Sequence, residues 1–195
     1  MQDKFIRETF IKDSIDLKAP DLVNWDMVAV SSMFREEIKD DETEKEVIKG
    51  YANAVNCITE SIKNQNHPNG VIMALPSNSL IIPFIFLVRH TNELILKYLR
   101  KVLRLNTPNK HGLVNLWQEI KATVSKADIN VADVLEDLDV YIMALEELDP
   151  DGSHARYSKS TTGELYHNKP KLINVSAFNN VLQKALLPLI DCTFI

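Results

Sequence analysis

Apolar residues recur at every third or fourth position along most of this 195-residue chain, which is the period of an amphipathic helix. Alternation of polar and apolar residues never persists long enough to predict a sheet. The pattern therefore predicts an all-α protein, a bundle of about five to six helices with a long central helix. The helices are expected from 21 or 22 to about 38, from 40 or 41 to the turn-rich segment 64–70, from about 79 to 105, from 111 or 112 to about 125, from 130 to 148, and from 176 onward.

The length suits one hydrophobic core and is short for two. Residues 1–40 are expected to form an arm and a helix that pack on the bundle, and residues 41–195 the helical domain itself. Within that domain, 149–163 is predicted to be a polar loop and 164–173 an extended or irregular segment.

Two of the predicted helices have clear apolar faces. The second carries a stripe at three- and four-residue spacing, formed by Val47, Tyr51, Val55, Ile58 and Ile62. The central helix is apolar nearly all round from Leu80 to Val88, with Pro83 near its start, where a missing N–H is tolerated. Ser77 or Ser79 is expected to cap the central helix and Ser176 the last one.

Charge and composition narrow the class of protein. The net charge is −5, which argues against a protein that coats nucleic acid with its whole surface but leaves room for a local basic site. No apolar run approaches the ~20 residues of a membrane helix. The two distant cysteines and the absence of a secretory leader predict a cytoplasmic protein, with Cys57 as a buried thiol.

A polar interruption follows the apolar part of the central helix. Arg89, Glu93 and Lys97 are spaced at i, i+4 and i+8 and so share one face, with His90 on the adjoining side. One interpretation is an ion-pair network that fixes helix packing. The other is an anion pocket, because arginine offers a bidentate fork to phosphate and histidine transfers protons near neutral pH.

Two further segments carry candidate chemistry. His111 begins the fourth predicted helix, where a lone histidine commonly braces the helix start. Arg156 and Tyr157 lie in the polar loop, and loop residues on a rigid scaffold often complete a site. The sequence contains no glycine-rich phosphate loop, dinucleotide fingerprint, zinc pattern or nucleophile elbow.

Taken in order, these motifs resemble the HEPN superfamily, specifically its prokaryotic members with an RHxxELxLK helix and a later Arg-Tyr pair. The resemblance covers about residues 45–190, and the motifs that carry it are Arg89-His90-x-x-Glu93-Leu94-x-Leu96-Lys97, His111-x-Leu113-x-x-Leu116-Trp117, Leu148-Asp149-Pro150-Asp151 and Arg156-Tyr157.

The resemblance implies a four- or five-helix bundle that commonly dimerises. In many members it implies a metal-independent endoribonuclease of toxin–antitoxin, phage-defence or abortive-infection systems. Catalytic members usually carry Arg-x4-6-His with a polar residue after the arginine. Here Arg104 and His111 meet the spacing, with Leu105 in the polar position.

The implied chemistry is RNA transesterification, in which a histidine deprotonates the 2′-hydroxyl and an arginine stabilises the phosphorane, without a metal or cofactor. Either His90 or His111 fits as the base. The expected catalytic residues are Arg89, His90, Glu93, His111 and Arg156, and the expected substrate-binding residues are Lys97, Arg104 and Tyr157.

Two other functions are open. Some HEPN-like proteins have lost catalysis and serve as dimerisation, nucleotide-binding or partner-binding modules, with the polar set kept for structure. A plain helical scaffold subunit of a larger complex, such as a defence complex, is the third hypothesis. It predicts an exposed apolar patch on the first or last helix.

Overall fold

The computed structural model describes residues 11–13, 40–64, 80–105, 111–127, 132–166 and 171–192. Within these ranges the chain forms a bundle of five helices, and the all-α prediction is confirmed. The elements are β1 (Ile11–Asp13), α1 (Asp40–Lys63), α2 (Ile81–Val102), α3 (Leu113–Ala127), α4 (Ala132–Leu148), β2 (Lys171–Ile173) and α5 (Val175–Val181), which continues as a π turn (Leu182–Leu186) and a 3-10 turn (Leu187–Asp191). The helix predicted from 21 or 22 to 38 lies outside the described residues.

The two short strands pair antiparallel, with Ile11 opposite Ile173. The strand β2 lies within the segment that was predicted to be extended. Among the described residues, no helix is long and apolar enough to cross a membrane.

Helix α2 is the centre of the bundle. It packs against α1, α3 and the C-terminal segment that begins with α5. Burial of each large apolar side chain contributes about 1.5–3 kcal/mol, and α2 supplies many of them, including Phe84, Val88, Ile95, Leu96 and Leu99. Its second half, from Arg89 to Arg100, is more buried than the apolar first half and includes buried polar side chains, namely Arg89, Thr91, Asn92, Glu93 and Arg100.

The apolar face of α1 is turned slightly from the predicted stripe. Its buried positions are Ile48, Ala52, Val55, Thr59 and Ile62. The hydroxyl of Thr59 donates to the carbonyl of Val55 at 2.8 Å, so the buried threonine is satisfied within its own helix. Cys57, predicted to be a buried thiol, is exposed instead, because it falls on the outer face of α1.

The end of the bundle departs from regular helix for a local reason. Asn174, and not the predicted Ser176, caps α5, and its Oδ1 accepts from the amide of Ala177 at 3.0 Å. Pro188 lacks an N–H, so the regular ladder of hydrogen bonds cannot continue, and the helical segment that begins with α5 finishes as the 3-10 turn.

A left-handed residue terminates α2. Arg104 has φ 55°. Its amide donates to the carbonyl of Lys101 at 3.0 Å, and the amide of Leu105 donates to the carbonyl of Arg100 at 2.9 Å. This pair of bonds is the Schellman arrangement, in which glycine is the favoured residue. Arg104, expected to bind substrate, therefore has a defined structural position as the residue that ends the helix.

Replacing Arg104 with glycine is expected to stabilise the protein, because glycine adopts positive φ without the steric cost that a Cβ brings. The gain in the free energy of unfolding should be about 1 kcal/mol, measured by urea denaturation. Arg104→Ala keeps the Cβ and is the matched control, expected to show no such gain. Equal stability of the glycine and alanine variants would contradict the assignment.

Candidate functional site

Arg89 is buried, with 3% of its surface exposed, and it joins three parts of the bundle. Its Nε donates to the carbonyl of Asp149, at the end of α4, at 2.6 Å. Its Nη2 donates to the carbonyl of His111, just before α3, at 2.7 Å. Its Nη1 donates to the carboxylate of Glu93, one turn along α2, at 2.9 Å. The guanidinium thus acts as an internal cross-link between helix ends.

Glu93 is the acceptor at the centre of the cluster. Besides the bond from Arg89 to Oε2, its Oε1 accepts from Lys97 Nζ at 2.7 Å and lies 2.8 Å from His111 Nδ1. Burial by itself raises the pKa of Glu93, but hydrogen bonds from Lys97, His111 and Arg89 outweigh it and hold the pKa at about 2. The side chain is therefore a carboxylate throughout the physiological range.

His111 combines a fixed ring with access to solvent. Its side chain is 60% exposed. Because the ionised Glu93 can only accept, Nδ1 carries the proton in this contact, and Nε2 is the acceptor nitrogen when the ring is neutral. The main chain beside it is held as well, since Leu113 N donates to Glu146 Oε2 at 2.8 Å. Burial raises the pKa of Glu146, partly offset by this bond.

A tight turn after α4 covers the guanidinium of Arg89. Gly152 has φ +76°, and a Cβ placed there would lie 2.9 Å from Arg89 Nη1 and 3.7 Å from Arg156 Nη2. The side chain of Asp149 is buried and accepts from the amide of His154 at 2.9 Å, which holds the turn closed. A side chain at this position would press on the hydrogen-bonded guanidinium of Arg89, and the positive φ disfavours it as well.

Arg156 is positioned by the same turn. Its Nε donates to the carbonyl of Gly152 at 2.5 Å, and its Cζ lies 5.5 Å from the ring centre of Tyr157. Both residues are exposed. Arg156 therefore presents a solvent-facing guanidinium beside the buried one of Arg89.

The predicted site residues thus separate into groups. Four of them form one hydrogen-bonded cluster, namely Arg89, Glu93, Lys97 and His111. Two more adjoin it through the turn at Gly152, namely Arg156 and Tyr157. Arg104 lies four turns further along α2 than Arg89, roughly 20 Å away at 1.5 Å per residue.

His90 faces away from this cluster. Its ring stacks on Phe86 at 5.6 Å and meets the ring of Tyr51 edge-on at 4.8 Å, between α2 and α1. Burial lowers the pKa of His90; of the nearby charges, Glu93 opposes this effect, while Lys97 adds to it. The structure gives His90 a packing position.

Several buried polar residues of the cluster's surroundings were not predicted. Asn92 donates to the carbonyl of Val88 at 2.6 Å and to the hydroxyl of Tyr141 at 2.8 Å, which ties α2 to α4. Arg100, fully buried, donates to Glu119 at 2.5 Å and ties α2 to α3. Asn92 lies three residues and Arg100 eleven residues after Arg89, which places both near the Arg89 side of the helix. This helical spacing can be recognised in the sequence.

No family model, curated protein or solved structure matches this chain. Among the residues that the structure describes, no group of three or more histidine, cysteine, aspartate or glutamate side chains is arranged to hold a metal ion. The described part of the site offers an imidazole, a carboxylate, an ammonium and two guanidinium groups.

Gly152→Ala is expected to destabilise the protein by about 2–3 kcal/mol, because it adds a strained φ and a clash with Arg89. Gly163 is a matched control, since its φ is +87° but nothing lies within 4 Å of its Cβ position. Gly163→Ala should cost only the backbone term, about 1 kcal/mol. Urea denaturation measures both, and equal losses would contradict the close approach of Gly152 to Arg89.

Glu93 should make stability depend on acid pH. Its pKa is about 2 in the folded protein against 4.5 for an unperturbed side chain, so the unfolded state binds its proton first. Its contribution is complete above pH 4.5 and is lost as the pH falls toward 2, by about 2–3 kcal/mol. Between pH 4.5 and 2, the free energy of unfolding should fall less steeply with decreasing pH for Glu93→Gln than for the unaltered protein, as measured by denaturation. An unchanged slope would contradict the role of the carboxylate.

Proposed function

We propose that this protein is a HEPN-like, metal-independent endoribonuclease of a prokaryotic defence or toxin–antitoxin type system, with His111 as its general base. The observation that carries the proposal is the contact of His111 Nδ1 with Glu93 Oε1 at 2.8 Å, while the ring remains largely exposed. A carboxylate that orients one ring nitrogen leaves the other as a base directed at substrate.

The proposed reaction is cleavage of RNA by its own 2′-hydroxyl. Nε2 of His111 takes the hydroxyl proton, and the 2′-oxygen attacks the adjacent phosphorus. The bond to the 5′-oxygen breaks, which leaves a 2′,3′-cyclic phosphate, and the departing oxygen takes a proton from water. Glu93 stabilises the imidazolium that forms, because its negative charge is already in place.

Arg156 is the arginine that suits the phosphate. The three nitrogens of Arg89 are engaged inside the protein, whereas Arg156 is exposed and, within the described part of the chain, is held by the bond from its Nε to Gly152. The Arg156 fork would donate to the non-bridging oxygens as their charge grows. The part-buried ammonium of Lys97, whose side chain is 31% exposed, adds positive charge to the same region.

A second candidate is a non-catalytic HEPN-like module that dimerises or binds a nucleotide or partner protein. The observation that favours it is the complete engagement of Glu93, which is shared among Arg89, Lys97 and His111. Helix packing alone is enough to explain a network of this kind, without a catalytic role. In that case the cluster is structural, and the surface around Arg156 is a binding surface.

RNA cleavage by the purified protein in chelator tests the first candidate. His111→Ala is expected to lower the cleavage rate by about 100-fold or more, the usual contribution of a general base. Arg156→Ala should also lower it, through weaker stabilisation of the phosphorane. Gel analysis of a labelled RNA, with detection of the cyclic phosphate end, is the measurement.

His90→Gln is the matched control, because it changes a histidine of α2 that packs against Tyr51 and Phe86 and faces away from the cluster. It should retain cleavage within a few-fold of the starting protein. Full activity of the His111 variant would refute its role as base. No cleavage by the unaltered protein under any tested condition would favour the non-catalytic module.

A further inference from the structure

A small hairpin projects directly from the candidate site. It comprises residues 156–166, and we refer to it as the site hairpin. Lys159 pairs with Leu165 in an antiparallel bridge, and the amide of Ser160 donates to the carbonyl of Glu164 at 2.8 Å. Its base is braced where the hydroxyl of Ser153 lies 3.0 Å from that of Tyr166. The site hairpin is therefore a built element with its own hydrogen bonds.

The site hairpin exposes apolar surface that the rest of the described chain mostly hides. Only four large hydrophobic side chains are exposed among the described residues, and two of them are on this hairpin. Tyr157 is 58% exposed and Leu165 57%, the highest values of the four. An exposed aromatic ring beside a positively charged group is the arrangement on which single-stranded bases stack.

The charges around this apolar surface are arranged by the pairing of the hairpin. Lys159 and Leu165 are directly opposite one another, so their side chains project from the same face. Glu164 is the next residue along and projects from the other face. With the guanidinium of Arg156 near the ring of Tyr157, the apolar surface is bordered by cations.

We propose that Tyr157, Lys159 and Leu165 form a platform for single-stranded nucleotides next to the cleaved phosphate, an inference that rests on the proposed ribonuclease function. A base stacks on the ring of Tyr157 and against Leu165, and Lys159 contacts the following phosphate. Stacking on an exposed aromatic ring requires an open base face, which a duplex does not offer.

Two observations favour RNA over a protein as the occupant. The chain carries a net charge of −5, yet the apolar surface here is bordered by Arg156 and Lys159. The platform is also continuous with the site, because Arg156 is held by Gly152, which lies against Arg89, and Arg89 bonds the main chain of His111. A strand whose phosphate reaches His111 would pass the ring of Tyr157.

Binding of a labelled single-stranded 2′-O-methyl oligonucleotide, followed by fluorescence anisotropy, tests the platform without cleavage. Tyr157→Leu keeps an apolar side chain but removes the ring, and it should weaken binding about tenfold. Tyr157→Phe keeps the ring and should bind like the unaltered protein. Lys159→Gln should weaken binding and lower the salt dependence by about one phosphate contact. Glu164→Gln is the control on the opposite face, and it should not weaken binding.

The outcomes separate the platform from the enzyme. Unweakened binding by the Tyr157→Leu variant, equal affinity for a duplex, or no binding at all would overturn the platform. So would loss of a protein partner in that variant with RNA binding intact. Tyr157-dependent binding, with no cleavage of the matching 2′-hydroxyl RNA, would support the platform while the ribonuclease proposal fails. Circular dichroism confirms that each variant is folded.

Discussion

The bundle depends on a buried arginine of α2 that bonds a carboxylate of its own helix and the main chain beside the ends of two other helices at once. Removing a guanidinium from water costs several kcal/mol, and the cost is offset only when its donors find good acceptors. Arg89 donates to the carboxylate of Glu93 and to the main-chain carbonyls of His111 and Asp149, and its Nε also lies 4.0 Å from the buried carboxylate of Asp149. The carbonyl at Asp149 follows the end of α4, where helix carbonyls lack partners and attract positive charge. The start of α3 and the end of α4 must therefore be docked on α2 together.

This constraint also orders the candidate chemistry. Glu93 is held ionised because its hydrogen-bond donors outweigh its burial, and the ionised carboxylate in turn selects the proton position on His111. The ring is oriented from one side by Glu93, while its main chain is fixed by Arg89. When buried residues hold an exposed base, the position of the base is fixed accurately and substrate can still reach it. Structural and chemical roles are thus compatible within one cluster.

Sequence patterns predicted the parts of this arrangement that are local. The spacing of Arg89, Glu93 and Lys97 predicted their contacts, and the hydrogen bonds confirm them, because helix geometry alone brings i and i+4 together. The approach of His111 to Glu93 joins residues 18 positions apart, one on α2 and the other just before α3, and no periodicity encodes it. His90 is next to Arg89 in the sequence, but a step of one residue turns the side chain by about 100°, and its ring packs against Phe86 and Tyr51 on another face of α2.

The turn after α4 is a second case in which the sequence predicts the local structure but not the long-range contact. The sequence Asp-Pro-Asp-Gly predicts a turn, and the structure contains one. The sequence does not show that this turn covers the guanidinium of Arg89. Gly152 is required there by its positive φ and by the guanidinium of Arg89 against it. The turn also positions exposed residues, because the carbonyl of Gly152 accepts from Arg156, and Arg156 lies beside Tyr157. A Cβ at Gly152 would therefore act on the buried cross-link and on the exposed guanidinium together, which makes this glycine the point where packing and surface chemistry are coupled.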